Sequence, residues 1–282
     1  MRKALDLFFF TNLSVGIVAV ALTIETLLLL HIPVSLTPMM LVIFFATLFE
    51  YSLHQILPLN LISFTYIKIS KKEYIFFTVL IISLSGLLIF GSMLPYRVVP
   101  LLFLFALITL GYSLPVLKIQ RRFITLKELP AVKTFLSSLL WALVTVVLPL
   151  IYREKEILNI KVMLLLAERF FFVFSVCMVF DIRDMESDKR ANVKTLAVMI
   201  GEKQALRCAN IALSSFIVLV LVQSGVCTDC IVSAVPMLLS AVIAFYFINS
   251  LKIKTLPYYY KGLIDGLPVL QMLLLCIAVF FF

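Results

Sequence analysis

Apolar runs of about 18 to 24 residues recur along this chain, and a run of that length crosses a hydrocarbon core of about 30 Å. They lie at about 7–30, 36–57, 74–94, 98–117, 134–152, 160–181, 206–226, 230–250 and 263–282. Backbone in lipid must satisfy its own hydrogen bonds, which leaves helices for segments this long. The expected fold class is therefore all-α, a polytopic membrane protein with nine transmembrane helices forming a single integral membrane domain over 1–282. Only 14% of residues are charged and 63% are hydrophobic, against roughly 25% charged in soluble domains.

Met1-Arg2-Lys3 leads straight into the first run, where Ala19-Val20-Ala21 is the one hint of a cleavage site. Because the run continues through Leu30, it reads as a retained helix. Placing the N-terminus in the cytoplasm puts nineteen basic residues inside, four outside and one, Arg169, within a span. This asymmetry predicts a bacterial-type inner or plasma membrane, with the N-terminus cytoplasmic and the C-terminus outside. Topology and anionic lipid then account for the net charge of +9 without nucleic acid. Cys177, Cys208 and Cys276 read as small apolar residues, whereas Cys227 and Cys230 form a C-x-x-C that is either a disulfide or chance spacing.

Glu25 in the first run, and Glu168 beside Arg169 in the sixth, are ionisable groups at membrane depth. Such groups face a bundle interior or a wet cavity, so they form either a structural ion pair or the polar wall of a chamber. The densest charge follows the sixth run, from Phe180-Asp181-Ile182-Arg183-Asp184 to Asp188-Lys189-Arg190. If the helix continues, Asp181, Asp184 and Asp188 fall at about 0°, 300° and 340°, one narrow stripe. Like charges so stacked repel unless a cation lies among them, and hard oxygen ligands suit Mg²⁺. The alternative is a solvated helix end balanced by its own lysines and arginines.

These residues resemble the UbiA superfamily of intramembrane prenyltransferases. Its second acidic motif reads D-x-x-D-x-x-x-D, then a basic residue, Thr, Leu and a later Gly. Asp181, Asp184, Asp188, Lys194, Thr195, Leu196 and Gly201 match it. Tyr112, Pro115 and Lys118 match a further family turn, and Ser70-Lys71-Lys72-Glu73 resembles another. The resemblance implies a UbiA-like bundle with a cytoplasm-facing pocket, where Mg²⁺ on Asp181, Asp184 and Asp188 neutralises an isoprenyl diphosphate. Lys118 and Lys194 would clamp the diphosphate, and Tyr112 would position the substrate or face the allylic cation. Arg121, Arg122 and Lys133 are further substrate-binding candidates. The partners implied are an isoprenyl diphosphate, a lipophilic acceptor and the bilayer.

The family's first motif, N-D-x-x-D-x-x-x-D, is missing, for no aspartate occurs between Asp6 and Asp181. Glu50, His54 and Gln55 stand near its place, and Glu50 and His54 are taken as substrate-binding. One carboxylate where several are expected implies a single-metal site, a changed head group, or a bundle that only binds an isoprenoid or quinone-like lipid. A transporter working through Glu25, Glu168 and Arg169 ranks last, since most charge lies in loops on one face.

Overall fold

The structure is a computed structural model describing residues 2–56, 71–115, 117–119, 122–191, 193–226, 231–250 and 258–281. Helix α1 (Arg2–Phe10) gives way to α2 (Leu13–Leu29) and α3 (Pro38–Ile56), followed by α4 (Lys71–Gly91) and α5 (Val99–Ser113). The basic loop then folds as a hairpin of β1 (Leu117–Ile119) and β2 (Arg122–Ile124), paired antiparallel, so the all-α expectation needs this one small exception. A 3₁₀ turn over Leu126–Glu128 leads to α6 (Val132–Ala142), which runs through a π segment (Leu143–Val147) into α7 (Leu148–Tyr152). Then come α8 (Ile160–Arg190), α9 (Leu196–Ile200), α10 (Glu202–Val226), α11 (Ile231–Asn249) and, after a π turn at Tyr259–Ile264, α12 (Leu267–Phe281).

Among the described residues seven helices are long and apolar enough to cross a membrane, with Leu13–Leu29 a shorter apolar helix. The first expected span also starts later than its apolar run. Asn12 adopts a left-handed backbone (φ 59°), a conformation that asparagine tolerates, and this breaks the run into α1 and α2. Gln55 Nε2 donates to Asn12 Oδ1 at 3.2 Å, holding the break against the end of α3.

Helix α8 is the axis of the bundle, packed by α6 on one side and by α9 and α10 on another. Its buried face, including Leu165, Phe172, Met178 and Val179, meets Leu213 and Phe216 of α10 in the largest core cluster. Helix α2 packs on α3 and α12. Where apolar burial cannot distinguish helix from lipid, polar pairs specify contacts. Asn210 of α10 and Asn249 of α11 exchange amide hydrogen bonds of 2.9 and 3.0 Å. Arg169 Nη2 meets Glu25 Oε1 at 2.9 Å and reaches Thr26 Oγ1 at 3.3 Å. Of the two readings open for Glu25 and Arg169, the structural ion pair is the one seen, between α8 and α2.

Candidate active site

With 31 residues, α8 is about 46 Å long, so it outruns the hydrocarbon core and carries the acidic stretch beyond its apolar part. Lys133, on the first turn of α6, reaches across to it. Its ammonium lies 3.1 Å from Asp181 Oδ1 and 2.9 Å from Asp188 Oδ2. Thr134 Oγ1 donates to the other oxygen of Asp181, which is 3% exposed. Two carboxylates seven residues apart on α8 thus converge on one cation.

Asp184, expected on the same stripe, is placed differently. Arg183 grips it with Nε and Nη2, at 2.7 and 2.9 Å, and lays its guanidinium over the rings of Phe180 and Tyr260. An adjacent guanidinium that forks a carboxylate at the edge of the stripe draws it away from the α6 side. Among the described residues no three His, Cys, Asp or Glu side chains form a metal-sized group. Asp181 and Asp188 still suit a single Mg²⁺, which commonly takes one or two carboxylates and completes its shell with water and substrate phosphate. Their shared hold on Lys133 puts both within one cation's reach.

On the facing side, Glu50 Oε1 lies 3.1 Å from His54 Nε2 and 3.0 Å from Ser113 Oγ. Tyr112 stands edge-on to the His54 ring and accepts from Ser137 Oγ at 3.3 Å. Lys127 joins the two sides, because its charge lies in the fields of Lys133, Glu50 and Asp188. Burial first, and then the neighbouring Lys133, lower its pKa below the ordinary lysine value. Lys127, Thr134 and Ser137 were not among the expected site residues. The polar positions Lys133, Thr134 and Ser137 at helical spacing in an apolar run were the available signal, whereas nothing in the sequence marked Lys127 among the basic residues of its loop.

Other expected residues are placed less directly. Lys118 is exposed on β1, where its main chain pairs with Phe123. The Lys194 side chain is exposed, while its carbonyl accepts from Ala131 N at 3.1 Å, fastening the loop after α8 to the start of α6. Thr195 and Gly201 serve the backbone. Thr195 Oγ1 accepts from Val198 N as the N-cap of α9, and Gly201 ends α9 at φ 82°, ψ 161°, a region open in practice only to glycine. Arg121, Ser70, Cys227 and Cys230 lie outside the described residues, and of Arg122 the main chain alone is described, paired with Ile119.

One to three turns along the same helices is a cavity of about 60 Å³ lined by Val18, Tyr51, Trp141, Cys177, Phe180 and Asp265, with further aliphatic side chains. Cys177 lies one turn before Asp181 on α8, and Trp141 lies two turns beyond Lys133 on α6. Tyr51 follows Glu50 on α3. An acidic and basic rim therefore adjoins a mostly apolar, aromatic space.

The sequence profile of the UbiA prenyltransferase family matches residues 67–257. The chain belongs to the UbiA prenyltransferase family. Solved structures agree in fold. The apo structure of a UbiA homolog from Aeropyrum pernix K1 superposes with a TM-score of 0.68 at 13% identity, covering 94% of this chain and 96% of that one. A UbiA homolog from Archaeoglobus fulgidus bound to GPP and Mg²⁺ gives 0.63 at 15% identity, covering 96% and 99%. A structure of digeranylgeranylglyceryl phosphate synthase gives 0.57 at 14%, covering 99% and 97%. Comparison with curated proteins by sequence gives no match. UbiA membership accounts for the helical membrane architecture.

Proposed function

We propose that this UbiA protein is a Mg²⁺-dependent prenyltransferase that moves an isoprenyl group from an isoprenyl diphosphate to an aromatic or other lipophilic acceptor within the membrane. The observation that carries this reading is the convergence of Asp181 and Asp188 on Lys133 beside an apolar cavity. The GPP- and DMAPP-bound forms of the Archaeoglobus fulgidus homolog, both with Mg²⁺, support the donor class.

Asp181 and Asp188 would hold the ion, and Asp184, still forked by Arg183, would assist through a water of the metal's shell. When bound, Mg²⁺ neutralises diphosphate charge and so eases its departure. Lys133 and Lys127 bind the phosphate oxygens, assisted by the basic side chains of Lys118, Arg121, Arg122 and Lys194. As the donor C–O bond breaks, its electron pair leaves with the diphosphate, against ammonium groups already in place. The allylic cation is left among Tyr51, Trp141 and Phe180, whose ring faces favour positive charge. Tyr112, Glu50 and His54 form the facing wall that orients the head group. We place the chain in a bacterial-type inner or plasma membrane as nine crossing helices, with this rim on the cytoplasmic side.

A second reading has its own support. Lys133 already fills the space between the two carboxylates, and the first acidic motif is missing, as in a homologue that binds an isoprenoid or quinone-like lipid without turnover. Titrating the purified protein with geranyl diphosphate, with and without Mg²⁺, separates the two. Transferase chemistry expects metal-dependent binding that Asp181→Asn and Asp188→Asn each weaken by about tenfold or more. Binding indifferent to the metal and to both substitutions favours the lipid-binding reading.

A further inference from the structure

The cavity is apolar and aromatic except at one place. Among the described residues lining it, Asp265 is the one carboxylate. Its position follows from the π turn before α12. Asp265 N bonds back five residues to Tyr260 O at 3.0 Å, and single wide turns of this kind recur at functional sites. The next residue must be glycine, because a Cβ on Gly266 would lie 2.4 Å from the carbonyl oxygen of Gly262.

The charged neighbours of Asp265 have other partners. Arg183 on α8 is forked onto Asp184 and stacked on Phe180 and Tyr260, and Lys261 donates to Phe9 O at 3.2 Å. Among the described residues neither closes an ion pair on Asp265. The titratable groups that share its field are Arg183, Lys261, Tyr51 on α3 and Cys177 on α8. Cys177 lines the cavity with Asp265 and lies one turn before Asp181 on α8, so it stands between the two acidic centres. Trp141 and Tyr51 both line the cavity with Asp265.

We infer that Asp265 accepts the proton released by the acceptor, which is therefore a protic molecule, a phenol or an alcohol, bound in the cavity on the side away from Lys133. This rests on the prenyl-transfer reading. In that step the donor C–O bond breaks and its electron pair leaves with the diphosphate. A lone pair of the acceptor oxygen forms the new C–O bond, or the phenol ring forms a C–C bond. The displaced proton passes from that oxygen or ring carbon to the Asp265 carboxylate and then to water. A base that faces the nucleophile in a water-poor space is what the step requires.

The test uses the full chain in detergent with Mg²⁺ and labelled geranyl diphosphate, and p-cresol and 1-octanol as acceptor probes. The expected result is transfer to at least one probe, with kcat about a hundredfold lower in Asp265→Asn. The KM and the Mg²⁺-dependent binding of geranyl diphosphate should be unchanged, and Asp265→Glu should recover activity. The acid limb of the kcat–pH profile should disappear in Asp265→Asn, a readout that a packing role would leave in place. Wild-type turnover by Asp265→Asn overturns the inference. So does the absence of transfer to both probes while donor binding persists, and in that case the donor reading survives. Absence of Mg²⁺-dependent donor binding by the wild-type protein removes the prenyl-transfer reading, and this assignment with it.

Discussion

Asp181 and Asp188 were legible in the sequence because a helical period puts residues seven apart on one face, and Lys133 was a candidate from its place in the basic loop. Lys127 was not legible, since its role depends on Glu50 and Asp188 being brought to it from α3 and α8. Its lowered pKa has a definite sign for stability. The charged form is disfavoured in the fold, so Lys127 subtracts from stability below its folded pKa, and that penalty is relieved as pH rises toward the unfolded value. Lys127→Met should leave the thermal midpoint at neutral pH unchanged or higher while weakening geranyl diphosphate binding about tenfold, the scale of one charge-assisted hydrogen bond. A fall in both midpoint and binding would make Lys127 a structural residue. Asp184→Asn should weaken Mg²⁺-dependent donor binding less than Asp188→Asn does, because Asp184 starts from its fork with Arg183. The reverse order in a titration would place the ion on the other side of α8.

At the scale of elements, apolar runs located the helices, but their ends were set by particular contacts. Asn12 splits the first run, and α8 continues nine residues past Asp181, to Arg190. The buried pair between α2 and α8 makes its own prediction. Glu25 and Arg169 are 1% and 2% exposed, and removing one partner leaves the other charge buried and unpaired. Arg169→Met should therefore destabilise the detergent-solubilised protein by about 3–5 kcal/mol, and adding Glu25→Gln should recover much of that loss. Denaturation midpoints of the single and double variants check this, and a double variant no better than Arg169→Met would show that the two side chains are not coupled. Among the described residues Glu168 Oε1 and Gln223 Oε1 are buried without a hydrogen-bond partner beside a space of about 10 Å³, roughly the room one water needs.

At the scale of the whole molecule, the asymmetry of basic residues along the chain predicts one orientation. Reporter fusions should report the N-terminus and the loop between α8 and α10 in the cytoplasm and the C-terminus outside. A cytoplasmic C-terminus would mean an even number of crossings, and an external reporter in the loop between α8 and α10 would place the rim on the other face. The bundle also relates the two faces of α8. One carries Asp181 and Asp188 toward α6, and the other carries Arg183 and Asp184 toward the π turn that leads to Asp265.

By itself the sequence determined a helical membrane protein whose acids after the sixth apolar run share one face wherever the helix continues, because bilayer thickness and helical period act along the chain and need no knowledge of neighbours. Only the tertiary structure decided that Asp184 turns from its two companions, that Lys133 and Lys127 stand among the acids, and that Asp265 joins a cavity with Tyr51 and Trp141. Those outcomes depend on which helices are adjacent and how each is rotated. In a chain this uniformly apolar, lipid and protein interior look alike along the sequence, so a few polar contacts between helices must decide.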